Sequence, residues 1–270
     1  MPHRLRPPLA WPAHPWVRRA TAGLIRVQIF DRSMTLAAQA FTSLFPLLIL
    51  FGVLLGPEEG GRLADLAGIP AISRTVLAES LGHGGVSTFG VVGSLAVLVA
   101  STGLARALAR AYAAVWAVPR TPSGPRASWR WFVAVLTLAG FAIVSRLLGW
   151  ATGTLPHPHL SAAALLVLLD CGVAVLLPWL LLGGAVPARR LVAGGIVFGF
   201  VMLALRPIGS LYLPRALTVS AERYGTIGVA FTYIGWLYVI AFCLLLTAIA
   251  GQVVTEDEGP IGRLVRGPAP

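Results

Sequence analysis

The chain has 270 residues, of which 57% are hydrophobic and only 11% charged, whereas soluble domains carry about 25% charged residues. With a mean hydropathy of +0.81, it has too few charges to clothe a water-soluble surface. The net charge of +11 rests on 21 arginines and no lysine; in a soluble protein it would suggest nucleic acid, but in an apolar chain arginine is first a signal of membrane topology.

Residues 1–16 are rich in Pro and Arg without periodicity and read as a disordered cytoplasmic tail. In residues 17–32, VRRATAGLIRVQIFDR, Arg18, Arg19, Arg26 and Arg32 are mixed with Leu24, Ile25, Val27, Ile29 and Phe30. That pattern fits an N-terminal basic amphipathic elbow helix on an anionic inner surface, and equally a solvated helix leading into the first span. The apolar run that starts near Met34 outlasts a signal-peptide core of about 7–15 residues and reads as retained.

Six runs follow, at about 34–56, 87–106, 131–151, 160–184, 191–213 and 225–254, and residues 255–270 form a second cytoplasmic tail. About 20 residues at 1.5 Å each cross some 30 Å of hydrocarbon, and backbone amides in lipid must bond internally. The expected fold is therefore an all-α membrane protein, a six-transmembrane-helix bundle occupying 17–254 as one domain. Between the first two spans, RLADLAGIPAISRTVLAESL places Leu63, Leu66, Ile72, Val76, Leu77 and Leu81 on a stripe broken at Pro70, as expected of short amphipathic helices on the outer surface. The second span is expected to continue as helix to Val118, with Arg106 and Arg110 on one face, until Pro119 stops it. Cys171 and Cys243 lie inside apolar runs, where they act as small apolar side chains and exclude a disulfide framework.

Arginine placement sets the orientation. The tail and elbow, the second-to-third connection (Arg106, Arg110, Arg120, Arg126, Arg130), the fourth-to-fifth turn (Arg189, Arg190) and the C-terminal tail (Arg263, Arg266) share one side. The other side has Arg62, Arg74, Arg215 and Arg223. The richer side faces the cytoplasm.

Three stretches carry a family resemblance: AAQAFTSLFPLLIL in the first span, STFGVVGSLAVLVASTGLARALARAYAAVW in the second, and VPARRLVAGGIVFGF through LYLPRALTVSAERYGTIGVAFTYIGWLYVIAFCLLLTAIAGQ in the last third. Together they resemble the YihY/BrkB family of bacterial inner-membrane proteins, some of whose members were once labelled ribonuclease BN. The resemblance implies six helices with cytoplasmic termini, and envelope integrity, serum resistance and lipid export are roles proposed for members. Two departures stand out. Phe41 stands where relatives have a Tyr, and Gln252 follows Gly251 where relatives end the last span with Gly-Ala-Glu.

Ionisable groups inside spans are costly and point to function or to a buried partner. Arg146, Asp170 and Arg206 fall at a similar depth in the third, fourth and fifth spans. We expect one polar cluster in which Asp170 pairs with an arginine and the remaining guanidinium faces a cavity suited to a phosphate. The bland alternative is a closed salt bridge with the second arginine snorkelling outward. Gln39, Thr42 and Ser43 bring polar groups to the first span, either lining the same cavity or bonding neighbouring helices. Pro46, Pro178 and Pro207 each interrupt a span and free a carbonyl, and Pro207 sits directly beside Arg206. Gly90 and Gly93, and the GxxxG formed by Gly195 and Gly199, are expected to serve close helix packing. Trp236, inside the sixth span, is expected to pack.

A nuclease needs a hydrolytic site, but His3, His14, His83, His157 and His159 all lie in the tail or outer loops, and no metal-ligand signature is present. No catalytic residue, metal or cofactor is expected. The favoured reading is transport or translocation of an amphipathic anionic molecule such as a lipid; the alternative is a non-catalytic envelope-integrity scaffold. Expected partners are membrane lipids and an anionic lipid or solute, without nucleic acid.

Overall fold

A glycine in a conformation closed to other residues organises the longest element of the protein. The computed structural model describes residues 15–55, 102–119 and 158–257, parts of 129–148, and residue 262. Within it lie α1 (Pro15–Val27), α2 (Ile29–Leu55), α3 (residues 102–115), α4 (the helical residues between 129 and 148), α5 (Pro158–Leu181) and α6 (Ala188–Glu256). No strand occurs among the described residues.

As one rod, the 69 residues of α6 would measure roughly 100 Å at 1.5 Å per residue. They do not form one rod. Gly225 has φ 61° and ψ −145°, a region essentially reserved for glycine, and there the chain doubles back. Ser220 and Thr232 share a hydrogen bond of 2.8 Å between their hydroxyls, Trp236 packs on Gly209, and a Cβ on Gly251 would lie 2.6 Å from Gly194 Cα. These pairs define an antiparallel hairpin with a first arm before Gly225 and a second arm after it. Residues 214–224, expected to be an outer loop, are helical instead, and Pro214 lies inside the helix. The polar sequence PRALTVSAERY hid this, because hydropathy reports the membrane and not the helix.

The other elements pack around this hairpin. The expected Gly195/Gly199 face meets α5, where added Cβ atoms would lie 3.0 Å from Cys171 O and 2.9 Å from Val167 O. On the other side, α2 packs on the second arm, with Phe30 and Phe242 ring centroids 5.6 Å apart. α1 lies across the end of the second arm, Gly23 against Ile249. Its Ala20, Gly23, Leu24 and Val27 turn inward at helical spacing, while Arg18, Thr21, Ala22 and Ile25 turn out.

Left-handed residues end three helices. Gln28 (φ 51°) separates α1 from α2, so α2 begins at Ile29, inside the stretch 17–32 read as the elbow. Ala117 (φ 51°) closes α3 with Val118 N–H bonded to Ala113 O at 2.9 Å. Helix therefore ends at Val115, short of Val118, in a Schellman turn that alternating Ala and apolar residues did not announce. Gly183 (φ 67°) does the same for α5, with Gly184 N–H on Trp179 O at 2.9 Å. The chain stays helical through Pro46, Pro178 and Pro207. Glu256, assigned to the tail, is the last residue of α6.

Candidate functional site

No side chain of α5 described before Asp170 is buried, and Leu165 and Leu168 are exposed. Asp170 itself is 0% exposed. A carboxylate in such a place needs a partner, and the first arm of α6 supplies one. Arg206 Nη2 donates to Asp170 Oδ1 at 2.7 Å and to Oδ2 at 2.9 Å. One nitrogen serves both oxygens, so the guanidinium fork is not used as a matched pair. Arg206 Nε is buried without an acceptor among the described residues, while the side chain as a whole stays 29% exposed. The pair therefore leaves donor capacity on its cationic member. Pro207, next in sequence, has no N–H, so the Leu203 carbonyl one turn earlier lacks its usual helical donor.

Arg146 lies outside the described residues, as do Gly90 and Gly93. Gln39 turns toward α3, with Oε1 2.6 Å from where a Gly103 Cβ would stand. Thr42 donates to Ala38 O at 2.8 Å, and buried Ser43 donates to Gln39 O at 2.7 Å. Both hydroxyls thus return to their own helix, the usual resort of Ser and Thr in an apolar helix.

A groove of about 1430 Å³ runs along both arms of α6 toward Gly225, lined among others by Tyr212, Arg215, Tyr224, Phe231 and Trp236. Leu211 (64% exposed), Ile227 (66%) and Phe231 (69%) leave this end of the hairpin apolar on the outside. Leu205 and Ile208, which flank Arg206 and Pro207 in sequence, also line the groove.

A second polar cluster sits at the α1 end, and reading the arginines as topology alone missed it. Arg26 Nη2 donates to Val115 O at 3.0 Å, capping α3, and to Gln252 Oε1 at 2.8 Å. Gln252 Nε2 in turn donates to Glu256 Oε1 at 2.8 Å. Arg32 donates from Nε to Val27 O at 2.7 Å and from Nη1 to Arg110 O at 3.2 Å, and Arg19 reaches Glu256 O at 3.3 Å. Cations at helix C-termini also answer the negative end of the helix dipole. The sequence held one signal of this cluster: the amide of Gln252, where the family resemblance implies an acid. A neutral side chain there accepts from Arg26 and donates to Glu256, which a carboxylate cannot do.

Among the described residues, no three His, Cys, Asp or Glu side chains gather as metal ligands. The family model for the virulence factor BrkB matches residues 20–263. The chain belongs to the BrkB family. Membership over nearly the whole chain, together with the apolar helices Leu160–Leu181 and Ala188–Glu256, makes this BrkB protein a membrane protein of the cell envelope. No curated protein and no solved structure gives a significant match.

Proposed function

We propose that this BrkB family member is a six-span inner-membrane protein with both termini in the cytoplasm, and that it moves an amphipathic anionic molecule such as a lipid. The observation that carries the reading is Arg206, which neutralises Asp170 through one nitrogen and keeps a buried Nε without an acceptor among the described residues. A phosphate or carboxylate oxygen answers that need. The groove supports the same reading, since Arg215 beside Tyr212, Phe231 and Trp236 offers one cation on an apolar wall, as an amphiphile requires. The arginine bias supports the orientation. No enzyme activity and no nucleic-acid partner form part of this reading.

One observation favours the scaffold instead: both Asp170 oxygens are satisfied at short distance, as in a closed structural ion pair. Reconstitution separates the two. Liposomes holding the purified protein and a fluorescent anionic phospholipid are followed for exchange between leaflets. Arg215→Ala and the double variant Asp170→Asn with Arg206→Gln are compared with wild type; the double change avoids stranding a buried charge. Transport requires wild-type exchange above empty liposomes and a loss of about tenfold or more in the double variant, equivalent to about 1.4 kcal/mol. Wild-type exchange equal to empty liposomes sinks transport and leaves the scaffold.

A further inference from the structure

Tyr112 is 1% exposed, and its hydroxyl has no hydrogen-bond partner among the described residues. The residue lines a small cavity where α3, α5 and both arms of α6 meet, together with Ala174, Pro178, Gly194 and Thr247. The space open to a water-sized sphere is about 10 Å³, and one water needs roughly 10–15 Å³ measured in that way. Size alone does not fill a cavity, since apolar voids of this kind stay dry.

The lining supplies the polar groups. Pro178 has no N–H, so the Ala174 carbonyl one turn before it lacks its helical donor. Thr247 Oγ1 lies 2.9 Å from Cys243 O and 3.0 Å from Leu244 O. It has a single proton for those carbonyls and keeps lone pairs to accept with. Three residues that line a volume of one molecule, from three helices, thus carry one donor and two acceptors. We propose that this cavity is a binding site for a single ordered water, which accepts from the Tyr112 hydroxyl and donates to Ala174 O and Thr247 Oγ1. Three hydrogen bonds are the usual complement of a buried water. The site explains together two features that are separately unfavourable: an orphaned phenol and a proline inside a helix. Ala174 is one turn beyond Asp170, about 6 Å along α5, so the water extends the polar interior from the ion pair toward the α1 end.

Radiolytic footprinting of the full-length protein in lipid nanodiscs reads this site directly, because hydroxyl radicals formed from a bound water attack the side chain beside it. Tyr112 is expected to gain oxygen several-fold faster than Phe198, which is similarly buried at 6% exposed. Pro178→Ala, which restores a donor to the Ala174 carbonyl, is expected to slow that labelling. Tyr112 labelled no faster than Phe198 in wild type overturns the proposal. The thermal midpoint of Tyr112→Phe gives a second reading. If the hydroxyl bonds a water, its loss lowers the midpoint; if it is buried dry, its loss raises it. A rise or no change counts against the water, and wild-type labelling keeps the question answerable should Pro178→Ala fail to fold.

Discussion

At the α1 end, Arg19, Arg26 and Arg32 direct their donors to main-chain carbonyls or side chains of other helices, and Leu177, Leu181, Leu182, Leu245 and Ile249 are all buried around them. At the Gly225 end, the arms touch through Gly209 and Trp236 and through Ser220 and Thr232, while their apolar side chains turn outward around a groove. In water the second arrangement would be unstable. In lipid it costs little, because the solvent is as apolar as leucine and helix association depends on close packing and hydrogen bonds instead. The contrast teaches that one end of this bundle is locked by polar caps, while the other is left with surface that a lipid can occupy.

The sharpest way to break that comparison is to remove a cap. Arg26→Ala deprives the Val115 carbonyl and the Gln252 amide of a charged donor, and should cost about 1.5–3 kcal/mol, read as the shift in a denaturant unfolding curve. Arg215→Ala at the other end should leave the same curve in place. A comparable loss from both removes the distinction between the ends.

A somewhat smaller effect is expected where the arms cross. Gly251→Ala drives a Cβ to 2.6 Å from Gly194 Cα and N, backbone that cannot rotate away, and such overpacking costs about 1–3 kcal/mol. Gly235→Ala, with no described residue within 4 Å of its added Cβ, should be neutral or stabilising by up to about 1 kcal/mol, since alanine is the better helix former. Thermal melts of the two variants in the same detergent decide the point.

The smallest effect belongs to Gln252→Glu. The new acid pairs with Arg26 but loses its donation to Glu256 and repels it one turn away, a term of about 0.2–0.5 kcal/mol. A net change within about 0.5 kcal/mol is expected; a gain of several times that would show that the chain is strained by its amide.

What the sequence made legible follows from what hydropathy and charge can encode. That Asp170 needs an arginine partner was readable because opposite charges at one depth in apolar helices have few other solutions; that the partner is Arg206 rather than Arg146 was not, because both arginines lie at that depth. That Gly195 and Gly199 make a close helix contact was readable from their spacing, though not that α5 is the partner. The close approach of Gly194 to Gly251 was not, because it depends on how the two arms cross. Nor was the helicity of 214–224, since a polar helix and a polar loop share a composition. The capping by Arg26 and Arg32 was hidden for a different reason: the same residues satisfy the topology rule, and that explanation left no remainder to account for.

The hairpin at Gly225 also bears on how the protein assembles. Near the turn, the Ser220 and Thr232 hydroxyls join residues only 12 apart in sequence, whereas Arg26 reaches Gln252 across 226 positions. Loop closure is least costly for the short separation. The two arms can therefore zip from their turn as one local unit, with the N-terminal helix arriving last to fasten the far end.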